Sequence, residues 1–101
     1  MIRKFDIKDI DDVMNIWITE NIKAHSFIPN EYWKNNFEYV KNILPNAEIY
    51  VYVEDNIILG FIGLNDNYIE GIFVDSNYQD KGIGTALLNK AKKIKQQFKC
   101  I

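Results

Sequence analysis

An α/β fold of the α+β kind, a mainly antiparallel sheet flanked by helices in the order β-α-α-β-β-β-α, follows from three features of this sequence. Two stretches in the first half carry apolar residues at helical spacing. Three later stretches read as strands separated by short polar turns. A turn holding Gly82 and Gly84 then opens a third amphipathic helix. No repeat, low-complexity linker or shift in composition divides the chain, so residues 1–101 are expected to form a single domain.

Met1-Ile2-Arg3-Lys4-Phe5 reads as the first strand. Ile10, Val13, Met14, Trp17 and Ile22 recur near helical spacing and predict a helix over residues 9–24. Asp9, Asp11 and Asp12 crowd its first turn, where the positive end of the helix dipole favours carboxylates. Trp33, Phe37, Val40 and Leu44 mark one face of a second helix, bounded by Pro29 and Pro45. Residues 48–54 and 57–64 read as strands, with Asp55-Asn56 as a tight hairpin turn. Asn65-Asp66-Asn67 leads to a further strand over residues 68–75. The third helix, about 82–98, is expected to bury Ile83, Leu87, Leu88, Ala91, Ile94 and Phe98. Lys90, Lys92, Lys93 and Lys95 fall largely on its solvated face and read as solubility and dipole complement rather than a binding patch.

Composition excludes several classes of function. The chain is 48% apolar and 14% aromatic, unlike a disordered segment. A net charge of −2 gives no electrostatic attraction to nucleic acid or to an anionic membrane. Cys100 is the only cysteine, which excludes an internal disulfide and a cysteine-based metal site, and no metal is expected. Neither a signal peptide nor an apolar run of membrane-spanning length is present, so the cytoplasm is the expected location.

The turn before the third helix carries the chemistry. Glycine lets backbone approach a ligand without an intervening Cβ. The first N–H groups of a helix lack intrahelical partners and sit at its positive end. Such a turn cradles phosphate or pyrophosphate. A P-loop requires Lys-Ser or Lys-Thr directly after its last glycine, whereas Thr85-Ala86 follow Gly84 and Lys81 precedes both glycines. A Rossmann fingerprint requires Gly or Ala where Leu87 stands, and an acidic residue about 20 positions further on. Gln79-Asp80-Lys81-Gly82-Ile83-Gly84 fits the Gln/Arg-x-x-Gly-x-Gly/Ala signature at every fixed position. A ligand-free glycine turn is the bland alternative.

Through that signature the chain resembles the GNAT superfamily of acyl-CoA N-acyltransferases. The order of the preceding segments agrees, from the 48–64 hairpin to Tyr68-Ile69-Glu70-Gly71-Ile72-Phe73-Val74-Asp75. Ala24-His25-Ser26-Phe27-Ile28-Pro29, with Tyr32-Trp33 and Leu44-Pro45, is similar to the small bacterial YjaB-like acetyltransferases. The resemblance implies acetyl-CoA (CoA) as cofactor and a primary amine of a small molecule or peptide as acceptor. It implies that the pantetheine arm pairs with the backbone of Ile72, Phe73 and Val74. The pyrophosphate would lie on N–H groups of Gln79, Asp80, Lys81, Gly82, Ile83 and Gly84, with the Thr85 hydroxyl in reach. A non-catalytic CoA-binding module and an inactive remnant of the family are the alternatives.

Amine acetylation needs a base for the attacking amine and a donor for the thioester oxygen. By strand alternation Tyr68, Glu70, Ile72 and Val74 are expected to share one face. Tyr68 stands where many family members carry a glutamate, so two readings stay open: Glu70 as base, or a water held by Tyr68 and Glu70. His25, the only histidine, falls in the connection that borders the acceptor site in this superfamily, and imidazole suits proton transfer near neutral pH. Members of the superfamily continue beyond the third helix with a strand, a helix and two more strands. Against that pattern the chain reads as truncated: artificially shortened, naturally short, or completed by a partner. The 68–75 strand would then keep an unpaired edge, so a homodimer or higher oligomer is expected, joined through that edge or the 98–101 tail.

Overall fold

A computed structural model of the chain describes residues 1–99, and side chains as far as Lys95. Four strands, β1 (Ile2–Lys4), β2 (Glu48–Glu54), β3 (Ile57–Asn65) and β4 (Tyr68–Val74), form one sheet in the order β1-β2-β3-β4. Every pairing in it is antiparallel. Helices α1 (Ile10–Ala24) and α2 (Asn30–Ile43) lie on one face and α3 (Ile83–Lys99) on the other. The predicted element order is observed. The expected burial of Phe98 and the expected contact through residues 98–101, Cys100 included, lie outside the described side chains.

Alternation along β2 builds both layers. Ile49 and Val51 join Val13, Met14 and Ile16 of α1, while Tyr50 joins Ile83, Leu87 and Ala91 of α3. The α3 residues repeat every four positions and so form one stripe against the sheet. Helix α2 buries no residue fully; its Phe37 and Val40 pack half-buried at the edge of the first cluster. The β2–β3 turn holds Asp55 at φ 52 and Asn56 at φ 65, the left-handed pair that a two-residue hairpin requires.

Three expectations change. Asp9 stands just before the first turn of α1 and makes no capping bond to it: its carboxylate accepts two bonds from Arg3, at 2.7 and 3.0 Å, and one from the Asp6 N–H at 2.8 Å. Lys95 is not on the solvated face either, since its Nζ lies 2.8 Å from Glu48 with 18% of the side chain exposed. The third change is in β4. Gly63 pairs with Gly71 and Leu64 with Ile69, which leaves Glu70 as an extra residue in the strand. Such a bulge breaks the alternation, so Tyr68 and Glu70 do not continue the face of Ile72 and Val74.

Candidate active site

The glycine loop begins with local hydrogen bonds. The Asp75 carboxylate accepts the Asn77 N–H at 2.9 Å, and the Tyr78 N–H reaches the Asp75 carbonyl at 2.9 Å. Asp80 at φ 65 and Gly82 at φ 80 then reverse the chain into α3. Glycine meets the second of these without a steric cost. The first bond of the helix runs from the Ala86 N–H to the Gly82 carbonyl at 2.9 Å. The N–H groups from Asp80 to Thr85 therefore have no acceptor among the described residues.

A cleft of about 390 Å³ lies beside these groups, between the loop and β4. Ile72, Val74, Gln79, Asp80, Gly82, Ile83, Gly84 and Thr85 line it. A Cβ on Gly82 would meet nothing within 4 Å, and one on Gly84 would sit 3.7 Å from Val74. Free donors, a helix N-terminus and space kept by glycine are what a pyrophosphate requires. Two of the expected cofactor residues turn their side chains elsewhere, which leaves the backbone roles expected of them untouched. Phe73 projects to the other face of the sheet, and Lys81 lines a separate cleft of about 480 Å³ with Tyr52, Glu54 and Tyr78.

On the α1–α2 side of β4 lies a cavity of about 580 Å³. Trp17, Leu44, Phe61 and Phe73 give it an apolar lining, with the Phe61 and Phe73 rings stacked at 4.9 Å. Glu70, Asp66 and Glu48 border it. The bulge is what brings Glu70 here, with Gly71 and Phe73 rather than with Ile72. Of the three carboxylates, Glu48 is paired with Lys95. Glu70 thus faces the cavity from the strand whose other side borders the cleft beside the glycine loop.

Tyr68 and His25 are not brought to either space. Tyr68 is 77% exposed at the start of β4 and lines neither of them. His25 caps the end of α1, its N–H on the Asn21 carbonyl at 3.0 Å. Its ring stacks on Trp33 at 5.5 Å, and Trp33 in turn meets Trp17 edge-on at 5.8 Å. Two indoles separate the imidazole from the cavity.

Sequence reasoning missed Glu20. This carboxylate, 9% exposed, accepts hydrogen bonds from Ser76 and Gln79 of the loop. A signal existed: Glu20 follows Val13, Ile16 and Trp17 on the buried stripe of α1, where an acidic side chain needs donors.

The pattern of the Acetyltransferase (GNAT) family matches residues 10–101. The chain is 29% identical over 90 residues to the peptidyl-lysine N-acetyltransferase YiaC of Escherichia coli, covering 87% of this chain and 62% of that protein. Its fold matches the solution structure of apo YjaB from Escherichia coli, with a TM-score of 0.83 at 24% identity over 93% of this chain and 65% of the other. It also matches the PaiA N-acetyltransferase of Thermoplasma acidophilum, solved with coenzyme A, with a TM-score of 0.85 at 22% identity over 96% and 72%. The chain spans 62–63% of the length of the curated relatives it matches.

Proposed function

Because the chain belongs to the acetyltransferase (GNAT) family, we propose that it transfers an acetyl group from acetyl-CoA to a primary amine, with peptide lysine ahead of small-molecule amines as acceptor. The row of unsatisfied N–H groups from Asp80 to Thr85, beside space left open at Gly82, carries the cofactor half of this reading. The naming of YiaC and YjaB as peptidyl-lysine N-acetyltransferases supports the acceptor half.

Acetyl-CoA, when bound, supplies the activated acyl carbonyl and a thiolate leaving group. The loop N–H groups hold the pyrophosphate charge, and no side-chain cation is needed for that. On the side away from β3 the backbone of Ile72 to Val74 has no strand partner among the described residues, and apart from the Val74 carbonyl, which accepts from Gln79, it offers donors and acceptors to the amide-bearing arm. Glu70 draws a protonated amine toward the cavity and takes its proton, directly or through a water. The apolar lining around Trp17 and Phe73 suits the methylene stem of lysine and keeps bulk water from the reacting carbonyl. Tyr68 and His25 have supporting roles at most in this arrangement. A cytoplasmic location goes with the reading; no helix among the described residues is long and apolar enough to cross a membrane.

Calorimetry with acetyl-CoA, CoA and ATP, followed by an acetylation assay on lysine peptides, tests the proposal. Binding of acetyl-CoA and CoA but not ATP, with turnover, is expected. Binding without turnover would leave a cofactor-binding module, and no binding would end the acetyl-CoA reading.

A further inference from the structure

Glu20 lies on the buried side of α1, and all its donors come from one short turn. The Ser76 N–H donates to Oε2 at 3.1 Å, and the Ser76 hydroxyl lies 2.8 Å from both carboxylate oxygens. The Gln79 side-chain amide donates to Oε1 at 3.3 Å and to the Val74 carbonyl at 3.1 Å. No lysine or arginine pairs with Glu20 among the described residues. Its charge is held by N–H and O–H dipoles alone, so the turn and the helix satisfy each other.

Two consequences follow from this placement. The Gln79 side chain is spent inside the protein, joining the end of β4 to α1, and the loop's free N–H groups begin just after that anchor. Trp17, one turn before Glu20 on the same helix, forms a wall of the acceptor cavity. One helix therefore holds the start of the phosphate loop and lines the space on the other side of β4.

We propose that Glu20 is a positioning residue that latches the Ser76–Gln79 turn to α1, sets the loop N–H groups for an anion, and passes cofactor occupancy to Trp17. The part concerning cofactor rests on the acetyl-CoA reading of the cleft; the latch itself does not. Neither part needs Glu20 to touch a ligand.

Hydrogen exchange and CoA titration of the chain and its Glu20→Ala variant test the two parts separately. In the ligand-free chain, amides of Ser76 to Tyr78 are expected to exchange at least about tenfold faster in Glu20→Ala, with β2 and β3 amides unchanged. Ser76→Ala removes the hydroxyl contact from the other side and should speed the same amides by a smaller factor. It keeps the test decisive should Glu20→Ala fail to fold. Calorimetry should give a CoA Kd raised about tenfold or more in either variant. On a Trp33→Phe background, saturating CoA should change Trp17 emission, and Glu20→Ala should abolish that change. Unaltered exchange in a folded variant overturns the latch whatever CoA does. If the parent chain binds no CoA, the part concerning cofactor falls with the acetyl-CoA reading, and exchange still decides the latch.

Discussion

A Cβ on Gly60 would lie 2.7 Å from the carbonyl oxygen of Phe73. The contact is to backbone, which cannot swing aside as a side chain can. It falls beside the bulge at Leu59, where the Asp75 N–H reaches the Leu59 carbonyl at 2.9 Å and ends β4. Gly60 thereby fixes how closely β4, which separates the two clefts, packs on β3. Gly60→Ala is expected to cost about 1–3 kcal/mol, as overpacking does, read as a lower urea midpoint. Gly63→Ala is the control, since its Cβ would meet only Glu70 Cβ at 3.9 Å and should leave the midpoint nearly unchanged.

Gly82→Val should abolish CoA binding. It forces a β-branched residue to φ 80 and fills space that nothing else in the protein occupies. Gly84→Val should act similarly by pushing into the gap toward Val74. Lys81→Ala, on the far side of the loop, should change CoA affinity less than about tenfold. Isothermal titration at moderate salt decides the matter; a larger loss for Lys81→Ala would refute the backbone cradle.

Glu70→Gln should lower kcat by about 10²–10⁴-fold, the usual cost of losing a proton-transfer group. The residue is exposed, so the unfolding midpoint should not move. Tyr68→Phe and His25→Ala should stay within about tenfold of the parent, a difference of ~1.4 kcal/mol in barrier. A larger loss at His25 than at Glu70 would transfer the role of base to the imidazole.

The Arg3 guanidinium holds the Asp9 carboxyl below its ordinary value of 3.8, with help from the Asp6 N–H, while burial opposes the shift. A carboxyl whose folded pKa is depressed stabilises the fold above its unfolded pKa, and that stability is lost as pH falls through the folded value. Asp9→Asn should therefore cost about 1.5–3 kcal/mol at neutral pH, as a charged hydrogen bond is worth. The cost should shrink below pH 3.8 and vanish once pH passes the folded pKa. Urea unfolding of both proteins across that range tests the sign.

β4 pairs with β3 on one side only among the described residues, and Tyr68, Ile69 and Ile72 are 77%, 46% and 37% exposed. Such an edge is a template for a second chain. Light scattering at micromolar concentration should report a dimer or larger species, and Ile69→Lys should shift it toward monomer. A monomeric parent whose β4 amides are protected from exchange would end this expectation.

Local pattern determined most of the fold. Residues 48–54 form β2 as predicted, and the 57–64 and 68–75 runs match β3 and β4 within a residue at their ends. Alternation and turn chemistry act between neighbours, so a sequence displays them. The same holds for the apolar stripes of α1 and α2 and the prolines that flank α2, and for the loop, where Gly82 takes the positive φ that its position required. Which face Glu70 occupies was not legible. Alternation assigned it to Ile72 and Val74, and the bulge opposite Gly63 and Leu64 turned it to the α1–α2 side. A bulge arises from pairing between two strands, and neither strand alone encodes it. Glu20 was hidden for a related reason: its donors lie 56 and 59 residues away, and only packing of α1 beside the end of β4 brings them within 3.3 Å. The sequence by itself determined the elements, the family and the glycine turn into α3, because each rests on short-range spacing. Tertiary structure alone decided which carboxylate faces the cavity on the α1–α2 side and which one bonds the loop, because burial and hydrogen-bond partners are set by contacts between distant segments.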